Sequence, residues 1–236
     1  MKTHLLFIWI LFFLFSCKKE FVQDKKIIEL SAFTKIELNA PFDVYLMEDS
    51  VFSISIEGDE NTIQSVSAEV KENKLIVEDN RKTRWLSPNR NKISLYIRSK
   101  PLEEVKANET CNIQTLSPIT SSEFGLILGS KANAANLELN CDVFYYWNSH
   151  PCGGNVTLRG TVNELKIWNF ALMSVDAKNL VAKKAIVENH AKGNCEIQVL
   201  NQLNYSIYGI GDILLSGNPP EINENTVNSS GKLIKY

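Results

Sequence analysis

From about residue 104 to its end the chain repeats one pattern. Short runs of alternating apolar and polar residues halt at an Asn or a Gly. The halts are Asn108, Gly129, Asn148, Asn169, Asn189, Gly209 and Asn228, at intervals of 21, 19, 21, 20, 20 and 19 residues. A near-constant period of this length marks a coil of stacked repeats, each covering the apolar face of the next. Positions of one parity on a strand share a face. Gly125, Phe144, Leu165, Ala185 and Tyr205 stand four before a halt, and Ile127, Tyr146, Ile167, Val187 and Ile207 stand two before it. Both rows are expected inside the coil. Leu128, Trp147, Trp168, Glu188 and Tyr208 stand one before a halt and are expected outside. Glu104 and Lys106 break the rule, as suits a capping repeat.

A second run follows each halt, at 132–135, 156–158, Val175, 195–199 and 213–215. Further corners fall at Asn140, Gly160-Thr161, Asn179, Asn201-Gln202 and Gly217-Asn218. Each winding therefore holds at least two strand segments. This predicts an all-β fold, a parallel β-helix with windings of about 20 residues over 103–236. Seven windings at about 4.8 Å each give a prism roughly 30 Å long. Gly and Asn suit corners because they tolerate positive φ, and stacked Asn amides can bond to one another between windings. A leucine-rich repeat has a similar period, but it needs Leu three, five and eight residues before the Asn. Before Asn169 those places hold Lys166, Glu164 and Thr161.

Residues 31–102 lack the period and read as an N-terminal β-module. Alternating runs at 33–38, 42–47, 52–57, 66–70, 74–78 and 92–98 predict strands. Turn residues separate them, and Asp59 is placed to cap one helical turn. The stretch 80–91, with Arg81, Lys82, Arg84 and Arg90, reads as a solvated hairpin loop.

Lys2 and His4 precede an apolar run at 5–15, too short to span a bilayer but suited to a secretory signal over 1–16. Ser16-Cys17 directly after it resembles a bacterial lipobox, which implies cleavage before Cys17 and its lipidation. Residues 17–30 then read as a lipidated tether to a membrane. A net charge of −2 and a pI near 6.0 offer no basic footprint for nucleic acid. Of the remaining cysteines, Cys111 and Cys152 lie two windings apart, as do Cys152 and Cys195, beyond disulfide reach. Two readings stay open: small buried thiols, or a Cys141–Cys152 bridge within one winding.

Several stretches resemble the putative auto-transporter adhesin, head GIN domain family. Phe33-Thr-Lys-Ile36 followed by Ala40-Pro-Phe-Asp-Val44 is similar to that family's opening. Leu75-Ile-Val, then Ile93–Ile97 and Pro101-Leu102, resemble its middle. Tyr208-Gly-Ile-Gly-Asp212, Gly217-Asn-Pro219 and Asn228-Ser-Ser-Gly231 resemble its end. Most corners here carry Asn where that family has Gly, and only Gly209-Ile-Gly211 keeps the Gly form. The resemblance implies an envelope protein with a β-helical body and an adhesin-like role, and brings no catalytic residues or cofactor.

The residues point the same way. Asp142, Asp176 and Asp212 fall 13, 7 and 3 residues past their halts, so the period scatters them over different faces. Glu138 and Glu164 are scattered likewise, and His150 and His190 have no carboxylate in phase. No catalytic set, metal site or cofactor is expected. The outward aromatic row is the candidate binding face: Trp147 and Trp168 on neighbouring windings, Tyr208 extending the row, Tyr145 beside it. Such rings stack on sugars or anchor protein partners. The sequence thus predicts a non-catalytic, lipid-anchored envelope protein, adhesin-like or scaffolding, whose partner is a glycan, an envelope protein or a second copy. The alternatives are a carbohydrate-binding module and a polysaccharide-active enzyme.

Overall fold

The computed structural model describes residues 23–82, 92–149 and 151–236. Cys17, the signal, Arg84, Arg90 and His150 lie outside the described residues. In chain order the elements begin β1 (Gln23–Glu29), β2 (Lys35–Leu38), β3 (Phe42–Glu48), β4 (Ser53–Asp59), α1 (Glu60–Ile63), β5 (Val66–Lys71), β6 (Lys74–Asp79) and β7 (Ser94–Ser99). They continue β8 (Glu104–Ala107), β9 (Cys111–Thr115), β10 (Glu123–Leu128), β11 (Asn133–Asn148), β12 (Gly153–Asn169) and β13 (Leu172–Asn189). The last are β14 (Cys195–Ile207), β15 (Ile213–Ser216), β16 (Glu221–Val227) and β17 (Leu233–Lys235).

All of these strands join one 17-stranded sheet wound into a parallel β-solenoid. The long strands β11 to β14 bend at a corner, so their two halves join different stacks. The first stack runs β6, β2, β8, β10, then the second halves of β11 to β14, then β16. The second runs β7, β3, β9, the first halves of β11 to β14, then β15 and β17. From β8 onward about seven windings follow in sequence order. Alternation explains the packing. Phe144, Leu165 and Ala185 pair in register and are fully buried, and so are Tyr146, Ile167 and Val187.

The inward rows slip at both ends. Phe124 and Leu126, rather than Gly125 and Ile127, stand under Phe144 and Tyr146. Tyr205 pairs with Val187, and Ile207 with Asn189. The halts therefore divide into two sets. Asn148, Asn169 and Asn189 share one register position and are fully buried. Leu128 pairs with Asn148, and Ala107 with Leu128, so Asn108 and Gly129 lie one residue past that position. Asn228 also lies one past it and Gly209 two past, because Ile207 pairs with Val227. The windings at the ends differ slightly in length, which a count of Asn and Gly cannot reveal.

The expected backbone reason for the halts is also corrected. Positive φ occurs at Gly154, Gly160, Gly217, Glu72, Asn73 and Ala171, and at none of the halts. The buried Asn residues act through their side chains. Asn169 Nδ2 donates to Asn189 Oδ1 (3.0 Å) and to the Met173 carbonyl (3.0 Å), and Asn189 Nδ2 donates to the Gly211 carbonyl (2.9 Å). The bonds to Met173 and Gly211 satisfy backbone carbonyls that a corner would otherwise strand in the core, and the bond to Asn189 links neighbouring windings. Gly209 has a different reason, since a Cβ there would strike the Ala191 carbonyl oxygen.

The N-terminal strands are part of the same coil. β2 lies between β6 and β8, and β3 between β7 and β9, all parallel. The expected division at residue 102 therefore does not interrupt the sheet. The chain lays down β2 and β3, returns to place β6 and β7 on one side, then continues on the other. Antiparallel strands finish that end: β5 on β6, β4 on β7, and β1 on β4. Between β4 and β5, Asp59 caps the single turn α1 by accepting from the Asn61 amide. Residues 23–29, expected within the tether, form β1. Its side chains are mostly exposed and include Lys25 and Lys26, so its alternation is faint. Lysines on an edge strand discourage pairing with further chains.

Cys111, Cys141, Cys152 and Cys195 are all free and buried, which settles the two readings in favour of thiols. Burial pushes the thiols of Cys111 and Cys195 up to about 12.

Candidate contact surface

The outer side of the first stack carries one register row: Lys106, Ile127, Trp147, Trp168 and Glu188. Trp147 and Trp168 are direct partners on neighbouring windings. Trp147 is 41% exposed, while Trp168 and Ile127 are half-buried. Tyr145 occupies the adjacent outward row, where it pairs with Gly125 and Lys166. Its ring lies across Gly125, which has no Cβ to block it, and its hydroxyl donates to Glu104 at 3.0 Å. Burial first, and the bond to Glu104 second, push this phenol up to about 12. Tyr145 is thus a pinned wall of the patch rather than a free ring.

Two expected members of the row lie elsewhere. Leu128 is fully buried, because the shift of one residue in its winding turns it inward. Tyr208 stands two residues beyond Ser206, the partner of Glu188. It belongs to a neighbouring column at the corner. There Phe170 stacks on His190 (centroids 4.4 Å, 17° between planes) and His190 on Tyr208 (4.3 Å, 15°). The amides of His190 and Tyr208 bond to the Asn169 and Asn189 carbonyls, which fixes that column. Glu188 lies 3.6 Å from His190 Nε2 and joins the column to the Trp row. Phe170 and His190 were not anticipated as site residues, although their spacing of 20 was visible in the sequence. The result is an aromatic patch running from Trp147 to Tyr208, with Lys106 and Lys166 at its margin.

The carboxylates considered for catalysis are engaged separately. Asp142 accepts from Asn163 Nδ2 (2.6 Å), Asp176 pairs with Lys178 (3.1 Å), and Asp212 accepts from the Lys232 amide (2.8 Å). Among the described residues no three His, Cys, Asp or Glu side chains are grouped to hold a metal ion. Also among the described residues, no helix is long and apolar enough to cross a membrane. An apolar groove of about 470 Å³ opens at the start of the second stack, between Phe42, Ile93, Ala132, Ala134, Gly153 and Gly154.

Residues 32–219 match the family model described as putative auto-transporter adhesin, head GIN domain. None of the curated proteins matches the sequence. Among solved structures, a putative adhesin from Bacteroides fragilis NCTC 9343 superposes with a TM-score of 0.80 at 16% identity, over 91% of this chain and 97% of that one. A protein from Parabacteroides distasonis ATCC 8503 described as a putative lipid binding protein gives 0.65 at 16% identity, over 91% and 96%. A putative adhesin from Parabacteroides merdae ATCC 43184 gives 0.59 at 18% identity, over 91% and 96%. At these identities the likeness establishes a shared fold. These structures are named as putative adhesins or as a putative lipid binding protein, and not as enzymes.

Proposed function

For a chain that belongs to the putative auto-transporter adhesin, head GIN domain family, we propose a non-catalytic adhesive role at the cell envelope, exerted through the aromatic face of the first stack. The observation that carries this reading is Trp147, 41% exposed and in register with Trp168 on a rigid parallel sheet. An exposed Trp offers a large apolar surface with little freedom to lose on binding, and such residues dominate contact energies. The ordered column of Phe170, His190 and Tyr208 widens that surface. The scattered, individually paired carboxylates supply no acid–base pair, which argues against a polysaccharide-active enzyme.

The double substitution Trp147→Ser/Trp168→Ser tests the proposal. Loss of two central aromatic anchors weakens binding to isolated envelope by about 2 kcal/mol or more, roughly thirtyfold. A folded double variant that binds as the parent does would reject the aromatic face. Anchoring through Cys17 is a separate part of the reading and rests on the Ser16-Cys17 signal. Cys17→Ala should abolish incorporation of labelled fatty acid, and undiminished labelling would exclude the anchor.

A further inference from the structure

The corner between the end of the second stack and the start of the first is a trough that runs along the solenoid axis. Three consecutive residues on each winding build it: Thr120-Ser121-Ser122, Asn140-Cys141-Asp142 and Thr161-Val162-Asn163, continued by Val181 and Lys183. The windings are aligned residue for residue, with Asn140 opposite Thr161, Cys141 opposite Val162 and Thr161 opposite Val181. The middle residues Ser121, Cys141 and Val162 are buried and form the floor. Their neighbours on either side are exposed and form two walls. The space between the walls is about 570 Å³, within the range of ligand sites. Four windings at about 4.8 Å make it about 14 Å long.

The walls have a distinctive chemistry. One carries Thr120, Asn140 and Thr161, and the other Ser122, Asp142, Asn163 and Lys183. Five of these seven groups are hydroxyls or amides, able both to donate and to accept. Thr161 Oγ1 donates to Asn140 Oδ1 (3.1 Å), and Asn163 Nδ2 to Asp142 Oδ1 (2.6 Å), so neighbours hold each other in place along each wall. The Thr120 amide donates to Glu48 (2.9 Å), which holds the first winding. Asp142 and Lys183 offset each other and the Glu48 carboxylate on Thr120 adds negative charge, so a polyanion such as nucleic acid has no counterpart here. Polar walls do not suit an apolar helix or an acyl chain. Val181 and the exposed Leu200 add a small apolar lip at one end, suited to the C–H face of a ring.

From this repeating ladder we infer that the trough binds a linear glycan laid parallel to the solenoid axis, with about one sugar ring per winding. An extended β-1,4-linked chain advances by nearly one winding per sugar, so each ring can lie between the two wall groups of one winding. This inference is independent of the aromatic face, which lies on the outer side of the first stack.

Calorimetry of the full chain with linear cello-, xylo-, chito- and laminari-oligosaccharides of increasing length tests it. At least one series should bind, with affinity rising per added sugar until the trough is filled and then levelling off. The affinity should depend little on salt. Asn140→Ala/Asn163→Ala should weaken that binding by about tenfold or more, through lost hydrogen bonds. Thr161→Trp, which fills the trough from an exposed position, should abolish it. Trp147→Ser/Trp168→Ser should leave it unchanged, so failure of the aromatic face and failure of the trough are told apart. Absence of saturable binding by all four series would overturn the inference. So would binding that survives Thr161→Trp in a variant that melts like the parent.

Discussion

Asn169 and Tyr146 are both buried, yet they contribute in opposite senses. Asn169 Nδ2 bonds to the Met173 carbonyl and to Asn189 Oδ1. Asn169→Ala leaves the Met173 carbonyl without this donor and Asn189 Oδ1 with only the Ala191 amide, and should destabilise the fold by about 1–3 kcal/mol. The Tyr146 hydroxyl is buried without a hydrogen-bond partner. Tyr146→Phe removes that unsatisfied group and keeps the ring, so it should stabilise by about 1 kcal/mol. Urea unfolding of both variants checks the pair. Equal losses for the two would show that the core does not distinguish a bonded amide donor from an orphaned hydroxyl. The sequence marked Asn169 as a structural residue because Asn recurs at Asn148 and Asn189. It suggested the wrong backbone cause, because preference for positive φ and capacity for hydrogen bonding both favour Asn, and only φ tells them apart.

Among the elements, β2 is bonded on both sides, by β6 and β8, whereas β16 is bonded by β14 alone. Proline removes a donor and cannot join a central strand without breaking its ladder. Glu37→Pro should therefore cost about 3 kcal/mol or more, and Asn223→Pro on the edge strand much less. Thermal melting of the two variants tests the inserted position of β2; equal losses would place β2 at an edge. This insertion was not legible in the sequence. Alternation at 33–38 announces a strand and its buried face, but carries nothing about which strands flank it. In β11 to β14 the partner was legible, because a constant period places each strand beside the one a winding away. Where winding lengths drift, as at Leu128 and Ile207, the period misplaces residues by one or two.

At the scale of the whole molecule, the solenoid presents long faces set by register, and its function is read from what those faces expose. The vertical pairing of Trp147 with Trp168 was legible from their separation of 21 residues. The column from Phe170 to Tyr208 was not, because His190 is not apolar and Tyr208 follows it by 18. The polar trough escaped notice for a related reason. Ser, Thr and Asn at corners read as turn residues, and only the winding of the chain lines them up into walls. The proposed contact with the envelope runs through the face bearing Trp147 and Trp168. Hydroxyl-radical footprinting of the full chain, alone and bound to isolated envelope, measures this directly. Trp147 should be oxidised readily in the free protein and protected together with Trp168, His190 and Tyr208 on binding. Binding that leaves the oxidation of all four unchanged would contradict the account.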